Sequence, residues 1–122
     1  MKLIYVASPY CGNVAENEEY AKGACRFVME SGHAFFAPHL LYPRILDDTV
    51  PEERKLGMNM GLTMLSKCDE LWAFGVVMSK GMQREIAEAE RLGIPVQHFV
   101  VFEETPNGPR LKQPMWRRTA SS

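Results

Sequence analysis

The sequence predicts a doubly wound α/β sandwich, a single Rossmann-like or flavodoxin-like three-layer domain around a parallel sheet. Two observations carry this. Four short apolar runs alternate with three helical patterns in the order β-α-β-α-β-α-β, the signature of parallel strands joined by crossover helices. The first run, LIYVA, is apolar throughout and partly β-branched, as a strand buried on both faces is. A length of 122 residues with 46% apolar side chains suits one domain able to bury its own core.

The elements follow in order. Leu3–Ala7 is the first strand, and Asn13-Val-Ala-Glu16 supplies a helix N-cap with its capping-box acid. Tyr20, Ala24, Phe27 and Val28 then fall at i, i+4, i+7 and i+8, turning one helix face to a sheet. Gly32 ends that helix and His33–Ala37 is the second strand. Pro38 to Val50 reads as a 13-residue connection with two prolines, and links this long are usually functional or mobile. Thr49-Val-Pro-Glu52 repeats the capping-box logic, and a second helix runs to about Lys67 with Leu56, Met60 and Met64 on one face. Gly57 and Gly61 weaken this helix by roughly 1 kcal/mol each relative to alanine, for which close approach of another backbone or a ligand would compensate. Asp69–Val77 is the third strand, Met82–Leu92 the third helix with Met82, Ile86 and Ala89 inward, and Val96–Phe102 the fourth strand after Gly93-Ile-Pro-Val.

Charge separates a body from a tail. Residues 1–104, the expected domain, carry 10 basic and 15 acidic side chains, whereas 105–122 carry four basic residues and no acid. An acidic body is a poor partner for duplex DNA, whose affinity comes largely from phosphate neutralisation. The basic tail could hold nucleic acid through Trp116, Arg117 and Arg118, but packing on a neighbouring subunit or fraying is the favoured expectation. Cys11, Cys25 and Cys68 are an odd count with no CxxC pair, which argues against a disulfide framework or structural zinc and for a reducing compartment. MKLIYVASPY turns polar too soon for a signal peptide, and no apolar run approaches the ~20 residues of a membrane span.

Three segments should meet beyond the carboxyl ends of the strands, where open parallel sheets bind ligands. They are Ser8-Pro-Tyr-Cys-Gly-Asn13, the 38–50 connection and Val77-Met-Ser-Lys-Gly-Met82. The first leads into a helix N-terminus, which suits either an anion or a plain capped turn; neither GxGxxG nor GxxxxGK[ST] is present. In the third, Ser79, Gly81 and Glu85 surround the start of a helix, where the dipole should keep Glu85 ionised and fit for nucleophilic attack. The same pattern describes a surface glutamate matched to the dipole, and on local pattern alone that reading is favoured. His39, just past a strand end, is placed either on a ligand or in a loop hydrogen bond. Asp47 and Asp48 could bind a metal or serve as helix-entry polarity, and Asp69 reads as structural.

Tyr5-Val-Ala-Ser-Pro-Tyr-Cys-Gly, Leu65-Ser-Lys-Cys-Asp-Glu-Leu-Trp-Ala-Phe and Ser79-x-Gly-Met-x-x-Glu-Ile-x-x-Ala-x-x-x-Gly-Ile-Pro-Val together resemble the nucleoside 2-deoxyribosyltransferase-like superfamily. That group includes the 2'-deoxynucleoside 5'-phosphate N-hydrolases. The resemblance covers residues 2 to about 100 and is nearest to a branch common in phages and Firmicutes, which implies the cytoplasm of a bacterial or phage-infected cell.

The resemblance implies roles for individual residues. Glu85 matches the nucleophilic glutamate and Tyr5 the tyrosine that orients it. Ser79 matches the serine that binds 5'-phosphate in the nucleotide hydrolases, and Gly81 a backbone phosphate contact. With Ser8, Pro9, Tyr10, Gly12, Asn13, His39 and Met82 they form the expected substrate site. The implied chemistry is cleavage or transfer of the N-glycosidic bond of a (deoxy)nucleotide through a glycosyl-enzyme. No metal or organic cofactor is implied; the partners are a small-molecule nucleotide and further copies of the chain, without membrane or nucleic acid. The family's general acid falls at Gly61, so His39, Asp47 or Asp48 would have to replace it, or the leaving group must be better. The alternative is non-catalytic sequestration of an ADP-ribose-like or other signalling nucleotide.

Overall fold

The computed structural model of the chain describes residues 1–9 and 14–100 and, as backbone only, Val101, Glu104–Thr105, Gly108–Pro109 and Trp116–Arg118. Its elements are β1 (Leu3–Ala7), α1 (Val14–Glu30), β2 (Ala34–Phe36), α2 (Pro38–Leu41), a 3-10 turn (Tyr42–Arg44), α3 (Pro51–Leu65), β3 (Glu70–Phe74), α4 (Lys80–Arg91) and β4 (Val96–Val101). Short strands β5 (Glu104–Thr105), β6 (Gly108–Pro109) and β7 (Trp116–Arg118) follow. The main sheet has the order β2-β1-β3-β4-β7. Its first four strands are parallel and β7 runs antiparallel to β4. This is the doubly wound α/β architecture expected, with the reversal of strand order between β1 and β3. Trp116–Arg118 therefore pairs with the chain's own sheet, rather than fraying or packing on a neighbour as expected of the tail.

The period of two along each strand sorts the core into two clusters, one per sheet face. Ile4, Val6, Trp72 and Phe74 meet Ala24, Cys25 and Val28 of α1 on one side. Tyr5, Ala7, Leu71 and Ala73 meet Leu65 of α3 and Met82 and Ala89 of α4 on the other. All five residues of β3 are buried, as a central parallel strand requires. At its amino end Glu70 accepts from Lys2 Nζ at 2.6 Å, Trp72 Nε1 at 3.0 Å and Gln97 Nε2 at 2.8 Å, which ties β1, β3 and β4 together. Burial pushes this carboxyl up, but the hydrogen bonds and the Lys2 charge hold it below its ordinary value. Asp69 acts beside it, accepting the Leu3 N–H at 2.7 Å. Gly32, at φ +87°, turns the chain out of α1 into β2, a conformation that glycine adopts without strain.

Several local expectations are corrected. The 38–50 connection is partly helical, because Pro38 and Pro43 each stand in the first turn of a short helical segment. Thr49 does not cap α3; its N–H and hydroxyl both donate to Asp47 Oδ1, at 2.9 and 2.6 Å, and Val50 takes the cap position without a side-chain bond. The buried face of α3 is Gly61 and Leu65, not Leu56-Met60-Met64, and Leu56 is half exposed. The third strand stops at Phe74, and α4 begins at Lys80 with Ser79 as its cap. The expected Asn13 cap lies outside the described residues.

Candidate active site

A cavity of about 400 Å3 opens beyond the carboxyl ends of the strands. Pro38 and His39 wall it after β2, Ser79 and Gly81 after β3, and Tyr5 and Glu85 from beneath. Tyr5 is on the α3/α4 side of β1, since its neighbours Ile4 and Val6 fill the opposite cluster. Its hydroxyl donates to Glu85 Oε2. Glu85 is only 4% exposed, and its other oxygen, Oε1, has no hydrogen-bond partner among the described residues.

Two buried carboxylates thus stand in opposite conditions. Glu70 is surrounded by donors and bound by three of them. Glu85 has one donor among the described residues, so burial dominates and pushes its carboxyl up to about 7, with the Tyr5 hydrogen bond opposing. The expectation that the helix dipole keeps Glu85 fully ionised is corrected: Glu85 is the sixth residue of α4, beyond the first turn over which the dipole acts. A buried, half-bonded carboxylate lining a cavity is a costly arrangement that packing alone does not require.

Gly61 explains how Tyr5 reaches this position. A Cβ at residue 61 would lie 3.1 Å from the Tyr5 hydroxyl. At Gly57 it would lie 3.0 Å from Leu46 Cδ1. Both glycines of α3 therefore admit side chains in place of the expected backbone, and both also line the cavity, where the expected alternative of a ligand stays open. Gly61→Ala should gain about 1 kcal/mol of helix propensity but crowd a fully buried phenol pinned by Glu85, for which overpacking costs about 1–3 kcal/mol. The expected outcome is a net loss of up to about 2 kcal/mol in urea denaturation; an unchanged or raised midpoint would show that Tyr5 can move.

His39 lines the cavity and donates to the Ser8 carbonyl. Burial pushes its imidazole down to about 4, against the opposing influence of Asp48 and Ser8, so it is neutral at pH 7. Ser79 caps α4, its Oγ accepting the Met82 N–H at 3.2 Å, which aims the start of the helix at the cavity. Of the sequence-predicted residues, Tyr5, His39, Ser79, Gly81 and Glu85 are brought together around this space. Ser8 and Pro9 do not line it: Ser8 is buried with its Oγ unpartnered among the described residues, and Pro9 covers Gly75 at the end of β3. Met82 is corrected as a ligand contact, because its side chain is fully buried in the core between α4 and the sheet. Tyr10, Gly12 and Asn13 lie outside the described residues.

Arg54, Met58, Tyr42 and Glu53 line the cavity and were not anticipated. A signal for the α3 residues existed: Arg54, Gly57, Met58 and Gly61 fall at i, i+3, i+4 and i+7, one helix face marked by the glycine pair. The methionine stripe on the adjacent face was the stronger and misleading pattern. Among the described residues no cluster of three or more His, Cys, Asp or Glu could hold a metal ion, and no helix is long and apolar enough to cross a membrane.

Fold and strand order define the chain as a doubly wound α/β protein, and its likeness to solved structures gives it a nucleoside 2-deoxyribosyltransferase-like fold. Among solved structures it is similar to a 2-deoxyribosyltransferase from Bacillus psychrosaccharolyticus, with a TM-score of 0.66 and 23% identity over 80% of this chain and 72% of that one. A 2-desoxiribosyltransferase from Leishmania mexicana gives 0.56 and 20% identity over 85% of this chain and 67% of that one. No curated protein matches the sequence. Residues 2–99 match the family described as Domain of unknown function (DUF7768), and the chain belongs to that family.

Proposed function

We propose that this protein cleaves or transfers the N-glycosidic bond of a nucleotide, with Glu85 as the nucleophile and Tyr5 as the residue that positions it. The observation that carries the reading is the state of Glu85, a residue lining the cavity, with Oε2 bound by Tyr5 and Oε1 buried and without a partner among the described residues. A carboxylate with one oxygen held and the other uncommitted supports a retaining glycosidic mechanism, in which the uncommitted oxygen attacks the anomeric carbon. The fold shared with 2-deoxyribosyltransferases supports the same class of reaction. Ser79 and Gly81 at the amino end of α4, where backbone N–H groups and the dipole favour anions, are the proposed phosphate end. Incubation with a panel of ribo- and deoxyribonucleotides, read by chromatography for free base, tests the proposal with Glu85→Gln run alongside. Base released equally by both proteins would remove Glu85 from the mechanism.

A second reading, binding without turnover, is favoured by Gly61, which leaves no side chain where the resembled family has its acid. It predicts a nucleotide retained by wild type and variant alike with no base released.

The reading extends to assembly. Val76 and Val77, 71% and 75% exposed beside Ser79, are the apolar surface that a second copy would cover. Light scattering behind size exclusion should give a mass of at least twice 13.9 kDa; a monomer at micromolar concentration would exclude the oligomer.

A further inference from the structure

The cavity's charge and its shortage of proton donors point to the kind of base it accepts. This step rests on the glycosidic reading above. Asp48, Glu53 and Glu85 line the space with one cation, Arg54, among the described residues, so its formal balance is acidic with His39 neutral. Glu85 supplies a separate pointer to a ligand, because it lines the cavity, is more than nine-tenths buried and leaves Oε1 without a partner among the described residues. The Tyr42 ring forms part of the same wall.

Among the described lining residues, the Tyr5 and Tyr42 hydroxyls, the His39 imidazole and Gly61 supply no ready acid for a departing base. The Tyr5 hydroxyl is committed to Glu85, and the described N–H of His39 to Ser8. Burial holds the Tyr42 phenol above its ordinary 10, a weak donor at neutral pH. Gly61 has no side chain, and a Cβ there would meet Tyr5. A neutral purine leaving without protonation departs as an anion, and lack of the acid costs about 10²–10⁴ in rate.

We infer that the substrate carries a base that is already cationic, a pyridinium ring N-linked to a sugar phosphate, which the acidic and aromatic wall holds and which leaves without an acid. Glu85 Oε1 bonds to the anomeric carbon as the C–N bond breaks, and that bonding pair passes to the ring nitrogen, so the pyridinium leaves as a neutral pyridine. Water then displaces Glu85 at the same carbon and loses its proton to solvent. The balance is a glycosyl pyridinium plus water giving the sugar phosphate, a neutral pyridine and one proton. Carboxylates near the ring and the Tyr42 face both favour the cation over an uncharged ring of the same shape.

The test compares nicotinamide mononucleotide with its 1,4-dihydro form, which has nearly the same shape and an uncharged ring. Calorimetric binding is measured in Glu85→Gln, where the glycoside stays intact, and again after adding Asp48→Asn and Glu53→Gln singly and together. The cationic form should bind at least about tenfold more tightly, and the preference should fall to a few-fold when both wall charges are removed. Equal affinities, or a preference that survives both substitutions, would overturn the inference. Base release by wild type separates this from the glycosidic reading. Release from 2'-deoxyadenosine 5'-phosphate but not from the pyridinium nucleotide overturns the inference and keeps the glycosidase. Preferential binding of the cation with no release from either keeps the recognition and overturns the glycosidase.

Discussion

Glu85→Gln is expected to abolish base release, by on the order of 10⁴–10⁶-fold as for loss of other enzymic nucleophiles, and to make the protein more stable at pH 8. The two effects have one cause. Oε1 is buried without a partner among the described residues, so the ionised form that the proposed attack requires is also the form that burial penalises. The carboxyl is raised from 4.5 to about 7. Between these values the folded state binds more protons than the unfolded chain, so stability falls as pH rises through that window. The full penalty, about 3 kcal/mol, is present above pH 7 and absent below about 4.5. Thermal melts of wild type and Glu85→Gln should therefore diverge by about 10 °C at pH 8, with the variant higher, and converge near pH 4.5. Variant melts that fall below wild type at pH 8 would show that Glu85 is structurally satisfied. His39, whose pKa is depressed by burial, contributes in the opposite sense, its stabilisation being lost as pH falls from about 6.5 toward 4. It is present in both proteins and cancels from the difference.

Tyr5→Phe is the second large effect, and its pH dependence separates positioning from mere packing. The Tyr5 hydroxyl is the one group described as lowering the Glu85 pKa. Removing it leaves both carboxylate oxygens unpartnered, and loss of a hydrogen bond to a charged group costs about 1.5–3 kcal/mol, or about 10–100-fold in rate at pH 7. In wild type kcat/KM should rise with pH through about 7, as Glu85 ionises. In Tyr5→Phe that limb should move to higher pH, and much of the lost rate should return under alkaline conditions. A variant slowed equally at every pH would confine Tyr5 to packing. The rate measurements for both variants need only free-base detection, and neither depends on which base is released.

The contrast between Glu70 and Glu85 shows why the site was only partly legible. In the sequence both are glutamates near strand or helix ends, and local pattern gave Glu85 the bland reading of a surface residue matched to the dipole. What distinguishes them is the supply of donors. Glu70 meets Lys2 just before β1, Trp72 of β3 and Gln97 of β4, whereas among the described residues Glu85 meets Tyr5 alone. These partners are brought together by the parallel register of β1, β3 and β4, which no window of sequence contains. The glycine pair on α3 shows the same limit. Its spacing marked a face of close approach, but that Tyr5 and Leu46 are what approach was a matter of packing.

The sequence by itself determined the layer order. Apolar runs separated by helical periodicities specify a parallel sheet, because a strand followed by a crossover helix returns to the sheet in one hand. It also determined which loops could reach a ligand, since those after the carboxyl ends of the strands gather at one edge. Boundaries failed where side chains found competing partners, as Thr49 did with Asp47. Only the tertiary structure decided that α3 turns Arg54, Gly57, Met58 and Gly61 to the cavity in place of the methionine stripe. Only it decided that burial outweighs the helix dipole at Glu85. Both outcomes turn on how much water and how many donors remain around a group once distant segments close over it, and that is a property of the assembled packing, not of spacing along the chain.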